Sequence, residues 1–157
     1  MNTKRLLFYW ITSFTIAVTM YYVLKVGYTD RVFGSWFRMM QYHNDNPISF
    51  IVIPVFFYGI IANYFADSFA KKSRKEQLYL TLIIVTLTIL VSSPFGGMLW
   101  HYYGMKAGWF PKNWGDKLFG SFSESLLIGW LIILLSFPYN IFGIVVAYFL
   151  TKKGSSM

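Results

Sequence analysis

Four stretches of this chain stay apolar for as long as a membrane is thick, and short polar gaps separate them. A helix crosses a bilayer core in about 20 apolar residues. Leu6 to Val26, Ile48 to Ala66 and Leu78 to about Trp100 each reach that length. A fourth stretch starts between Ser125 and Trp130 and ends at Leu150. None alternates at every second position as a membrane β-barrel strand must, so the pattern predicts helices. The expectation is an all-α fold: one integral membrane domain over residues 1–157, a four-transmembrane-helix bundle with helices near 6–26, 48–66, 78–100 and 125–150. Lys4 and Arg5 precede the first stretch as they would in a signal peptide. Its apolar run is longer than a signal core, however, and no small-x-small site follows, so a retained helix is expected.

Composition agrees with the pattern. Of 157 residues, 56% are hydrophobic and 13% charged, about half the charge of an average soluble domain. There is no cysteine, which removes disulfides, thiolate metal sites and thiol catalysis. The net charge of +8 would suggest nucleic acid in a soluble protein. Here the basic residues sit in gaps between apolar blocks, which points to membrane topology and away from nucleic-acid binding.

Lysine and arginine set the orientation. Lys4 and Arg5 precede the first helix, Lys71, Lys72, Arg74 and Lys75 fill the second gap, and Lys152 and Lys153 follow the fourth helix. Two hairpins put these compact clusters on one side, so both termini are expected in the cytoplasm of a plasma membrane protein. The two outer loops are aromatic. In "TDRVFGSWFRMMQ", Val32, Phe33, Trp36, Phe37 and Met40 recur at helical spacing, which predicts a short interfacial helix. The second loop interleaves Trp100, Trp109 and Trp114 with Lys106, Lys112 and Lys117, the pattern of a headgroup-level belt. Gly104, Gly108, Gly115 and Gly120 argue against one long helix there.

Residues 54–65, "PVFFYGIIANYF", echo residues 138–149, "PYNIFGIVVAYF". Each lies in the second helix of a hairpin, which suggests two duplicated hairpins related by an axis along the membrane normal; shared membrane-helix chemistry is the alternative. Prolines carry the candidate functional positions. Pro138 frees the carbonyl of Leu134, and Ser136 and Asn140 stand beside that break. Lipid offers no donor, so Asn140 is expected to face protein, toward helix three or helix two. Pro54 kinks helix two, and Ser92, Ser93 and Pro94 in "SSPFGG" are expected to break helix three while letting a neighbour approach. These positions read either as kinks with satisfied neighbours or as the lining of a cavity where broken helices meet.

Chemistry is sparse. No ionisable residue falls at mid-membrane, where transport and proton paths need one. His43, Asp45 and His101 form a possible outer polar group, but their spacing does not require a metal, and "HNDNP" also reads as a turn into helix two with Pro47 at its first position. No nucleophile elbow, phosphate loop or zincin motif is present. No catalytic residue, cofactor or metal is expected.

The stretch "YGIIANYFADSFAKK", residues 58–72, resembles uncharacterised small four-helix membrane proteins of Bacillus-like bacteria. The resemblance covers helices two and three. It implies a Gram-positive plasma membrane setting and carries no catalytic residue. The expected role is a non-enzymatic accessory or interaction protein, such as an envelope, immunity or stress component, partnered by lipid and by another membrane protein or itself. A subunit of a small oligomeric transporter or channel is the alternative, and an enzyme resting on His43, Asp45 and His101 a third reading.

Overall fold

The computed structural model describes residues 2–27, 47–109, 115, 119–127 and 139–157, with only the backbone of 24–27, 47, 139 and 140. All regular structure among them is helical. Helix α1 spans Thr3–Gly27, α2 Pro47–Ala70, α3 Arg74–Lys106 and α4 Tyr139–Ser155, and residues 119–127 add a further helical stretch. Three helices, α1, α2 and α3, are long and apolar enough to cross a membrane.

Three of the helix boundaries have a clear local cause. The Asn2 side-chain oxygen accepts from the backbone N–H of Lys4 at 3.1 Å and of Arg5 at 3.3 Å, which starts α1. Between α2 and α3 the turn is short, because the Glu76 carboxylate accepts from the Ser73 backbone N–H at 2.9 Å and from its hydroxyl at 2.7 Å. Helix α3 stops at Gly108, the described non-helical φ of +79. The N–H of Trp109 there reaches the Gly104 carbonyl at 2.9 Å and that of Gly108 reaches Met105 at 3.2 Å, the double bond of a left-handed helix stop.

Two boundary expectations are corrected. Helix α3 was expected to break at "SSPFGG" and to end near Trp100; it continues through Ser92, Ser93 and Pro94 to Lys106. Proline removes one rung of the ladder, not the helix. The Ser92 and Thr88 hydroxyls pair with carbonyls one turn back, Thr88 and Ile84, so these two hydroxyls are met within the helix. Gly104 also sits inside α3, buried; the stop waits for Gly108. Pro54 lies inside α2 without ending it.

Helix α2 packs against α1, α3 and α4. The buried cluster is Tyr9, Tyr58, Ala62, Phe69, Leu80, Ile84, Ala147 and Leu150. These residues come from the first half of α1 and α3 and from the middle and second half of α2 and α4, so the core sits toward one end of the bundle. That end also gathers the start of α1, the α2–α3 turn and the end of α4. Lys4, Arg5, Lys71, Lys72, Arg74, Lys75, Lys152 and Lys153 are therefore brought to one end, as the hairpin pattern predicts.

At one pair of positions in the echo the packing differs. A Cβ on Gly59 would collide with the Trp10 indole, whereas one on Gly143, its counterpart, would meet nothing. The loop at 28–46, with its expected interfacial helix, and most of 110–118 lie outside the described residues.

Candidate functional site

The most polar part of the interior lies at the basic end, on facing sides of α1 and α2. Positions 5 and 9 of α1 stand one turn apart, as do 59, 63 and 67 of α2. Gly59 lets Trp10 lie against α2, where its indole N–H donates to the Phe56 carbonyl at 3.1 Å and its ring stacks on Phe56. Two turns further, the Arg5 guanidinium donates to the Asp67 carboxylate at 2.8 Å. Arg5 is buried, while the Asp67 side chain is 78% exposed. Between these contacts, on the same side of α2, Asn63 is buried with both amide atoms unpartnered, and the Arg5 Nε is likewise unpartnered.

A second polar layer joins α1 and α2 to α4. The Tyr9 hydroxyl donates to the Thr151 carbonyl at 3.3 Å. Tyr58 donates to the Ala147 carbonyl at 3.2 Å, and its oxygen lies 3.2 Å from the Thr151 hydroxyl. The two tyrosine rings meet edge to face at 6.0 Å. Gly154 makes room, since any Cβ there would strike the Tyr9 ring. Gln77 fastens the end of the bundle. Its amide donates to the carbonyls of Phe69 at 3.2 Å and Lys72 at 3.1 Å, and its oxygen accepts from the Tyr148 hydroxyl at 3.4 Å.

Toward the opposite end an apolar groove opens between α2 and α3. Val52, Ile53, Phe56 and Phe57 form one wall and Phe95, Met98, Leu99 and Tyr102 the other, around a volume of about 520 Å³. The helical stretch 119–127 lies along α3 nearby. The Ser93 hydroxyl donates to the Ser125 carbonyl at 2.9 Å, and Gly97 abuts the Ser125 side chain. The expectation that small residues here admit a neighbour is met at Ser93 and Gly97; Gly96 has open space.

The candidate positions read from sequence scatter across this frame. Ser92 and Pro94 are buried and Ser93 half-buried in α3, and Pro54 faces outward on α2. Ser136 and Pro138 lie outside the described residues, as do His43 and Asp45; Asn140 is described in backbone only, so the direction of its side chain is not among the described features. His101 is half-buried in the last turns of α3. Among the described residues no three His, Asp or Glu side chains gather as metal ligands. The sequence pattern singles out neither Asn63 nor Asp67 and counts Arg5 only among the basic clusters. The four-residue spacings 5–9 and 59–63–67 were the available signal. Comparison of the chain with protein-family models, with curated proteins and with solved structures finds no match.

Proposed function

We propose that this chain is a four-crossing plasma membrane protein, both termini cytoplasmic, that works through contacts within the membrane as a non-enzymatic accessory or interaction component. The supporting observation is the interlocked interior. Tyr9, Tyr58, Ala62, Ala147 and Thr151 pack across three helices, and both tyrosine hydroxyls are engaged. Thr81, Thr88 and Ser92, which line the buried side of α3, give their hydroxyl protons to their own helix. These contacts fasten the helices to one another, which supports a contact role over a transport path. Outward, by contrast, the chain offers Tyr64, 77% exposed, one turn from Asp67 on α2, and Phe149, 63% exposed, on α4. A phenol and a carboxylate on one outer face suit a polar partner at the membrane surface.

The native chain has no cysteine, so single cysteines read water access directly. Thr88→Cys and Ser92→Cys should resist a membrane-impermeant maleimide, while a photo-crosslinker at position 64 or 149 should capture another membrane polypeptide. Rapid labelling at both interior positions would support the transporter reading instead.

A further inference from the structure

We infer that the α2–α3 groove seats one acyl chain of an anionic phospholipid, with Lys106 against its phosphate. The inference rests on the membrane-embedded reading of α2 and α3, and goes beyond the contact role. The groove has a shape imposed by its neighbours. At the outer end Ser49 and Tyr103 hydroxyls lie 3.1 Å apart and the Phe50 and Tyr103 rings 5.9 Å apart, which ties the two helices. Deeper in, the Phe57 and Phe95 rings meet at 5.3 Å. Between these ties the helices leave a trough open on its outer side, where Val52, Phe56, Phe95 and Tyr102 are exposed. On α3 its wall runs from Phe95 to Tyr102, about 10 Å at helical rise, a third of the hydrocarbon thickness. Its lining is aliphatic and aromatic, which suits methylene groups and repels water.

Charge complementarity chooses the lipid. Positions 95, 99, 102 and 106 share one face of α3, so Lys106 stands one turn beyond Tyr102, above the groove. It is exposed, in the last turn of α3, and has no acidic partner among the described residues. Trp109 follows at once and is also exposed, at the level where tryptophan marks the headgroups. A chain in the groove and a phosphate at Lys106 are one molecule's two ends.

The full chain, purified in detergent, is titrated with phosphatidylglycerol or phosphatidylcholine of equal chain length, and retained lipid is read by native mass spectrometry. One phosphatidylglycerol should be held about fivefold more tightly than phosphatidylcholine, the worth of one basic residue at a headgroup. Lys106→Gln should erase that preference while leaving chain binding, and Lys152→Gln, at the other end, should leave it intact. Val52→Trp, which fills the groove, should lower retention of both lipids; Leu99→Phe serves if that variant does not fold. Equal retention by the native chain, or an unchanged preference in Lys106→Gln, would overturn the inference. So would a lipid-free dimer that Val52→Trp dissociates, since a second copy would then occupy the groove. Recovery of the chain in the aqueous fraction without detergent would instead fail the embedded reading.

Discussion

At Asn63 both amide atoms are buried and unpartnered, and an unmet buried polar group costs about 1–3 kcal/mol. Asn63→Leu should therefore raise stability by about 1 kcal/mol, read as thermal unfolding in detergent. A loss would mean that the amide has a partner in the membrane. Arg5 and Asp67 give an ordering. Asp67→Ala leaves a buried guanidinium without its counter-charge, whereas Arg5→Met removes the charge and keeps the stem's packing. Asp67→Ala should be the less stable by an amount on the order of 1 kcal/mol, less than for a fully buried pair because Asp67 is largely exposed. Glycines give a matched test. Gly59→Ala and Gly154→Ala should each cost about 1–3 kcal/mol, because Trp10 and Tyr9 occupy the space. Gly96→Ala and Gly143→Ala meet nothing among the described residues and should gain about 0.5–1 kcal/mol by the same unfolding measurement. None of these four fates was legible in the chain, where Gly59 and Gly143 occupy equivalent places in the echo. Whether a glycine is filled depends on the facing helix, and sequence spacing carries no information about the facing helix.

At the scale of elements, apolar run length was the strong signal, and it located α1, α2 and α3 to within a few residues at most ends. The exceptions have one cause: runs of apolarity report where lipid is, not where the helix stops. Helix α2 continues four residues past Ala66 to Ala70 and α3 six past Trp100 to Lys106, into polar segments that hydropathy does not count. Their stops are made by Gly108 and by the Gln77 and Glu76 bonds, local chemistry that was visible in the residues but not in the pattern. Gln77 accounts for three of those contacts, to the end of α2 and to Tyr148 of α4. Gln77→Leu should therefore loosen the turn first. Hydrogen exchange at residues 69–73 should speed up by about tenfold, the effect of losing roughly one net hydrogen bond. Exchange in the middle of α2 should stay unchanged. Uniform acceleration along α2 would show that Gln77 holds the whole bundle rather than its end.

Across the whole molecule the structure gathers the basic clusters that the proposed orientation rests on. By count the basic residues divide weakly, eight in the clusters at one end against Lys25, Arg31, Arg38, Lys106, Lys112 and Lys117 elsewhere. What distinguishes the first group is that the fold gathers it. Arg5 is tied to Asp67, Tyr9 to Thr151, and Gln77 to the end of α2, so the clusters at 4–5, 71–75 and 152–153 share a single end. Only Asp67 and Glu76 offset them within the described segments there. Such a concentration resists transfer across the membrane far more than the same charges spread along loops, which is the ground for the proposed cytoplasmic side. The prediction is that Ser73→Cys reacts with a membrane-impermeant maleimide only after the cells are opened, while Ala107→Cys reacts in intact cells. Neutralising the loop makes the test sharper. Changing Lys71, Lys72, Arg74 and Lys75 together to glutamine leaves the Arg5–Asp67 tie and the end of α4 in place, so the packing should survive while the bias weakens. A fraction of Ser73→Cys in that background should then label from outside, in step with labelling lost at position 107. If position 73 stays protected with all four charges gone, the gathered loop does not set orientation, and the direction comes from the clusters at 4–5 and 152–153.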